Sequence, residues 1–280
     1  MKPNPKFPIP QFLVLNPDFP IKFYTSLASI FFVFLPMMKL LNPVCLLIIF
    51  NLFSLSSSGQ TQFSGWLASF NTFKVSKKFS LVTDIQLRSS DEVQHVQTLL
   101  IRPGVNLTLA KQLTLSAGYA YVQNRRILNN VSGYAVEHRI WEQLLFNHKL
   151  SALAVSHRLR LEQRFIPRVA VVNNEIRKNG TLHANRIRYF IRNLLPLNSR
   201  RTPFTKGPFA ALQDEVFLNI GNKANVNGKT FDQNRFYLAI GYRVNKRFDL
   251  ETGYLNQYIR GSNASVTRNH VVQLATYLRL

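Results

Sequence analysis

From Gln62 onward one pattern repeats: apolar and polar residues alternate with a period of two through segments of 12 to 16 residues separated by polar turns. A period of two sends successive side chains to opposite faces of an extended strand, so each segment carries one apolar and one polar face. Globular strands usually run to about five or six residues, whereas strands of about nine or more can cross a bilayer when tilted. The segments fall at about 63–75, 78–90, 94–109, 112–125, 135–149, 152–166, 180–193, 209–221, 231–244, 247–260 and 267–280. Connections alternate as well. Ser76-Lys77-Lys78, Ala110-Lys111, Leu150-Ser151 and Asn245-Lys246 are tight, while 124–134, 166–180, 221–230 and 261–268 are expected as long loops, and 193–208 is a long connection on the short side. Short turns at one end and long loops at the other fit an all-β, transmembrane antiparallel up-and-down β-barrel. Eleven segments are read, but single-chain bacterial barrels take an even number, so 12 strands are expected, with 10 as the alternative.

The cost of charge in hydrocarbon assigns the faces. In the segment 155–165, Val155, His157, Leu159, Leu161, Gln163 and Phe165 share one face, and Ser156, Arg158, Arg160, Glu162 and Arg164 share the other. An Arg facing lipid at the midplane costs about 2–4 kcal/mol, so the Arg row belongs to a polar lumen. Parity extends this lumen network to Arg139, Arg158, Arg160, Arg164, Arg186, Arg188, Arg192, Arg235 and Arg243, with Glu137, Glu162, Glu215, Asp249 and Glu251 on the same side. Two readings of the network stand. Guanidinium forks bind phosphate or carboxylate in two-point fashion, which suits an anion-attracting channel or site. Alternatively, ladders of Arg and Glu fill a narrow barrel and hold its wall together, and this is the preferred reading. Glu142 shares parity with Ile140, Leu144 and Phe146 and falls on the apolar face. A soluble β-sandwich or lipocalin-like barrel would show the same alternation, but it would expose Lys and Glu rather than rows of Arg.

The first sixty residues lie outside the pattern. Residues 1–20 hold six Pro, and apolar runs at 21–35 and 40–55 are interrupted by Pro36 and Pro43. Neither run reaches the roughly 20 apolar residues of a spanning helix. Lys39, the apolar run after it and Ser56-Ser57-Ser58-Gly59 read as a secretory signal over 37–59, with residues 1–36 an upstream extension from a misassigned start and 60–280 the barrel. The competing reading is a pair of membrane helices anchoring a soluble domain.

Charge and composition narrow the function. There are 35 Lys and Arg against 13 Asp and Glu, a formal net charge of +22, yet only 17% of residues are charged. Soluble domains average about 25% charged residues. The basic excess would suit nucleic acid, but no recognition helix, RNA-binding sheet motif or Gly-rich phosphate loop is present, so no nucleic-acid partner is expected. Basic loops are expected instead to meet lipopolysaccharide phosphates, with outer-membrane lipids and the barrel assembly machinery as the other partners and the cell outer membrane as the location. Cys45 is the single cysteine, and six His without CxxC or HxxxH spacing point to no metal and no cofactor. An exterior Ser–His dyad needs the two residues two apart on one strand, and no Ser stands so from a His. Thr267, Asn269 and His270 form a rim cluster better suited to interface hydrogen bonding than to catalysis. No catalytic residue is assigned. The expected function is a narrow anion-preferring pore or a structural surface barrel with an Arg/Glu-filled lumen, the alternative being a lipid- or lipopolysaccharide-modifying enzyme.

A resemblance is carried by Glu137-His138-Arg139-Ile140-Trp141-Glu142-Gln143, Arg158-Leu159-Arg160-Leu161-Glu162-Gln163-Arg164-Phe165, Asn185-Arg186-Ile187-Arg188-Tyr189, Asp214-Glu215-Val216-Phe217, Phe231-Asp232-Gln233-Asn234-Arg235, Gly253-Tyr254-Leu255-Asn256-Gln257 and Asn269-His270. Together these resemble a bacterial family of uncharacterised proteins, domain-of-unknown-function family 2490. The resemblance covers nearly all of 62–280 and departs from the family pattern at Glu142, where Gln is expected. It implies a secreted outer-membrane β-barrel of Bacteroidetes-like Gram-negative bacteria, with no established activity.

Overall fold

The computed structural model describes residues 60–90, 92–198, 203–263 and 265–280; the signal segment and the upstream extension expected from the sequence lie outside them. The described residues form eleven strands: β1 (Gln60–Lys74), β2 (Phe79–Ser90), β3 (His95–Ala110), β4 (Leu113–Leu128), β5 (Val131–Leu150), β6 (Leu153–Val172), β7 (Glu175–Pro196), β8 (Gly207–Ile220), β9 (Phe231–Asn245), β10 (Phe248–Arg260) and β11 (Val266–Arg279). They close into a barrel in chain order. Each segment read from the period of two is a strand, and the expected count of 12, or 10, is corrected to 11. An up-and-down chain with an odd number of strands brings its first and last strands around in the same direction. Here β1 and β11 pair in parallel, from Gln60 opposite Thr267 to Thr72 opposite Arg279. A parallel ladder is slightly weaker per residue than an antiparallel one, but it closes the sheet and leaves no edge to aggregate.

Two of the expected long loops are absent. β4 and β5 continue to a turn at Asn129 and Asn130, and β6 and β7 to a turn at Asn173 and Asn174. All four asparagines have positive φ, between 50° and 62°. Consecutive left-handed residues make the turn whose twist matches a hairpin, and Asn tolerates that conformation better than other residues with a Cβ. The 124–134 and 166–180 stretches are therefore extended hairpins, the second interrupted by a register shift between Pro167 and Val169. Longer connections remain at 221–230, which carries the 3-10 turn η1 (Lys223–Asn225), and after β10.

The wall has two chemically distinct faces. Outward Leu67, Ile140, Leu238 and Ile240 are solvent-exposed, Ile240 at 65%. Inward, an apolar cluster of Trp66, Phe209, Ala211, Tyr237, Ala239, Leu255 and Val271 packs one side of the interior, and a smaller cluster of Leu100, Ala120, Val122 and Trp141 packs another. Trp141 lies flat against the wall because its neighbours lack side chains: a Cβ at Gly104 or Gly118 would sit 2.5 Å from its ring. Its indole N–H donates to the Tyr119 carbonyl at 3.1 Å, which fixes the ring there. No helix among the described residues is long and apolar enough to cross a membrane.

Candidate functional site

The inward rows of β3, β5, β6, β7 and β8 bring guanidinium and carboxylate groups together at the waist of the barrel. Glu162, 1% exposed, accepts from Arg188 Nη1 and Arg186 Nη2, each at 2.6 Å. Arg102 and Arg139 stand at 3.8 Å from it and Arg160 at 4.0 Å, so five guanidinium groups surround one carboxylate. Arg188 also reaches Glu215 at 2.7 Å, as does Arg158 from the adjacent strand. Above this pair of carboxylates, Glu137 holds Arg139 and Arg164, each at 2.7 Å. Alternation along neighbouring strands stacks these groups in layers, and each bidentate or shared guanidinium ties two or three strands across the lumen.

A second cluster lies nearer the short turns. Asp249 takes a two-point grip from Arg243, both contacts at 2.8 Å, and a further bond from Arg279 at 2.6 Å. Glu251 pairs with Arg192 and accepts from the Tyr277 hydroxyl at 3.1 Å. Arg235, opposite Glu215 in the β8–β9 ladder, packs against aromatic rings. Its guanidinium is 5.1 Å from the Trp66 ring and 4.8 Å from the Phe217 ring, and its Nη2 donates to Gln233 Oε1 at 3.4 Å. All fourteen residues assigned by parity thus face the interior, in two ionic clusters plus one aromatic-stacked arginine.

The sequence reading omitted five participants. Asp84, which binds Arg102, and Arg88, which lies over Trp66, sit in the same alternating row as Gln86 and could have been read from it. Arg279 likewise shares parity with Tyr277. Asp232 could not have been found that way. A register shift at Leu218 turns it inward out of phase with Gln233, and it accepts from Arg186 at 2.8 Å.

Two cavities border the network. The larger, about 480 Å³, runs from the waist toward the short-turn end, and the smaller, about 260 Å³, runs toward the hairpin end. Arg88, Arg102, Arg188 and Arg235 border both. Among the described residues, eight arginines line the larger chamber against two carboxylates, Asp84 and Glu215.

The rim cluster does not form. Asn269 points inward and accepts from Ser64 Oγ at 2.8 Å, whereas His270 points outward and pairs with the Tyr254 hydroxyl. Adjacent residues of a strand face opposite ways, so Asn269 and His270 cannot serve one substrate. His157 contacts His148 at 3.1 Å and Tyr189 at 2.9 Å, again without serine. Glu142 is outward and accepts from Gln163 Nε2 at 3.1 Å, which satisfies one carboxylate oxygen on the otherwise apolar face. Among the described residues no group of three or more His, Cys, Asp or Glu is placed to hold a metal ion.

No solved structure matches the chain. An uncharacterised protein of Methylorubrum extorquens is 24% identical over 198 residues, covering 70% of this chain and 78% of that one. The model of a family described as protein of unknown function, DUF2490, matches residues 63–268, from within β1 to the start of β11. The chain therefore belongs to the DUF2490 family, and its barrel encloses an Arg- and Glu-lined interior.

Proposed function

We propose that this protein is a bacterial outer-membrane β-barrel that stands in the membrane with its waist sealed, as a surface barrel rather than an open pore. The observation that carries this reading is Glu162, 1% exposed and ringed by five guanidinium groups drawn from β3, β5, β6 and β7. A steady ion path would have to part these contacts, and breaking a buried pair costs about 3–5 kcal/mol. The apolar outer face supports the membrane location, because soluble monomers rarely leave so large an apolar surface uncovered. Closure supports it too, since a spanning sheet must pair every backbone group internally.

In this reading residues 37–59 direct secretion, the assembly machinery inserts the barrel, and the hairpin end faces outward. Arg177, Lys178, Lys223 and Lys229 at that end meet lipopolysaccharide phosphates, an attraction that salt weakens. The test is fractionation with gel mobility. The protein should sediment with outer membranes and run differently before and after boiling in detergent, and release into the soluble fraction without detergent would overturn the proposal.

A further inference from the structure

The larger chamber holds donors without acceptors. Arg160 Nη1, Arg158 Nε and Arg235 Nε are buried and make no hydrogen bond, although all three side chains line the chamber. Arg160 is 4% exposed, and its other donors go to Gln143 Oε1 at 3.0 and 2.6 Å. Buried guanidinium donors are costly to leave unmade, and native interiors leave few of them so. The neighbouring carboxylates are committed elsewhere: Glu162, 4.0 Å from Arg160 Nη1, to Arg186 and Arg188, Glu215 to Arg158 and Arg188, Asp84 to Arg102 and Gln86. Excess positive charge therefore collects at the waist end of the chamber. Toward the short turns an apolar strip of Phe70, Val82 and Leu145 lines one side, beside Arg192 and Arg279, whose charges are met by Glu251 and Asp249. Unpaired donors thus gather at the waist end and an apolar strip runs toward the other, within a volume typical of small-molecule sites, about 300–1,000 Å³.

We infer that this chamber binds an amphiphilic anion, a molecule with a phosphate or carboxylate head and a short apolar body, which enters from the short-turn end and places its head among Arg158, Arg160 and Arg235. The head supplies the missing acceptors, and guanidinium forks match either head group in two-point fashion. The apolar body lies along Phe70, Val82 and Leu145, where burial favours it over water. This site needs no opening of the waist, so it holds whether or not the barrel conducts.

The two tryptophans of the chain, Trp66 and Trp141, both line the chamber, so their fluorescence reports on it directly. The full chain in a non-ionic detergent is titrated with ω-bromooctanoate, whose bromine quenches nearby indoles. Saturable quenching is expected, displaced by octanoate or octyl phosphate but not by octanol or octyltrimethylammonium. Which of the two anions displaces at lower concentration identifies the preferred head. Arg160→Gln and Arg235→Gln should each weaken displacement about ten-fold, equivalent to about 1.4 kcal/mol, while Glu175→Gln at the hairpin end, outside the chamber, should leave it unchanged. Equal displacement by octanol or by the cationic amphiphile would overturn the inference, because it would mean apolar partition alone. Non-saturable quenching would overturn it as well. Should either arginine variant fail to fold, the wild-type competition series still decides.

Discussion

Replacing Glu162 by Gln should be among the most destabilising single changes available to this barrel. The side chain keeps its size but loses the charge that Arg186 and Arg188 each approach at 2.6 Å, with three more guanidinium groups at 3.8 to 4.0 Å. Charge-assisted hydrogen bonds contribute about 1.5–3 kcal/mol each, and breaking a buried ion pair costs about 3–5 kcal/mol because the remaining charge stays buried. Arg186 keeps Asp232 and Arg188 keeps Glu215, so the loss should fall at the lower end, about 3 kcal/mol. The unfolding midpoint in urea, read by gel mobility after refolding into phospholipid vesicles, measures it. Glu175→Gln is the control: Glu175 and Arg177 are both more than half exposed, and such a pair is worth about 0–1 kcal/mol. The double variant Glu162→Gln/Arg188→Gln should lose less than the two single losses added together, because their interaction is removed only once. Equal midpoints for Glu162→Gln and Glu175→Gln, or strict additivity in the double variant, would refute the reasoning.

Three further outcomes follow from the same geometry. Leu159→Arg puts a cation on the outer face at about 2–4 kcal/mol if near the midplane, while Arg158→Leu leaves Glu215 with Arg188, so assembly yield should fall much further for the first; equal yields would reverse the assigned faces. Gly118→Ala places a methyl 2.3 Å from the Pro103 carbonyl oxygen and 2.5 Å from the Trp141 ring, an overpacking worth about 1–3 kcal/mol or more. Its unfolding midpoint should drop with a change in tryptophan emission, and an unaltered midpoint would mean that the ring lies elsewhere. Asn130→Val should cost about 1–2 kcal/mol at a left-handed position and make the β4–β5 tip sensitive to limited proteolysis, whereas Asn130→Gly should not; identical digestion patterns would argue against the tight turn.

The alternation of Arg158 to Phe165 made the wall legible, because only a two-faced strand explains Arg at every second position beside Leu159 and Leu161. It located all eleven strands and the inward faces of Glu162, Arg186 and Arg188. What it could not carry was anything set by pairing between distant strands. The parallel seam of β1 and β11 has no local sequence signal, and the rule of even strand number pointed the wrong way. The Asn129-Asn130 and Asn173-Asn174 pairs did carry a turn signal, but the arginines and glycine around them read as loop. Asp232 shows the limit most clearly: a single register shift reverses its face, so counting by twos fails there. The unmade donors of Arg158, Arg160 and Arg235 depend on which carboxylates their neighbours have already taken, a property of the assembled interior.

The proposal that the waist is sealed is tested most directly by conductance. Purified protein reconstituted into a planar bilayer should show no steady current in its folded state, and replacing Arg160 and Arg188 together by Gln should lower thermal stability. A steady ohmic current from the unaltered protein, of either ion selectivity, would contradict the account, because it would require a continuous water path past Glu162.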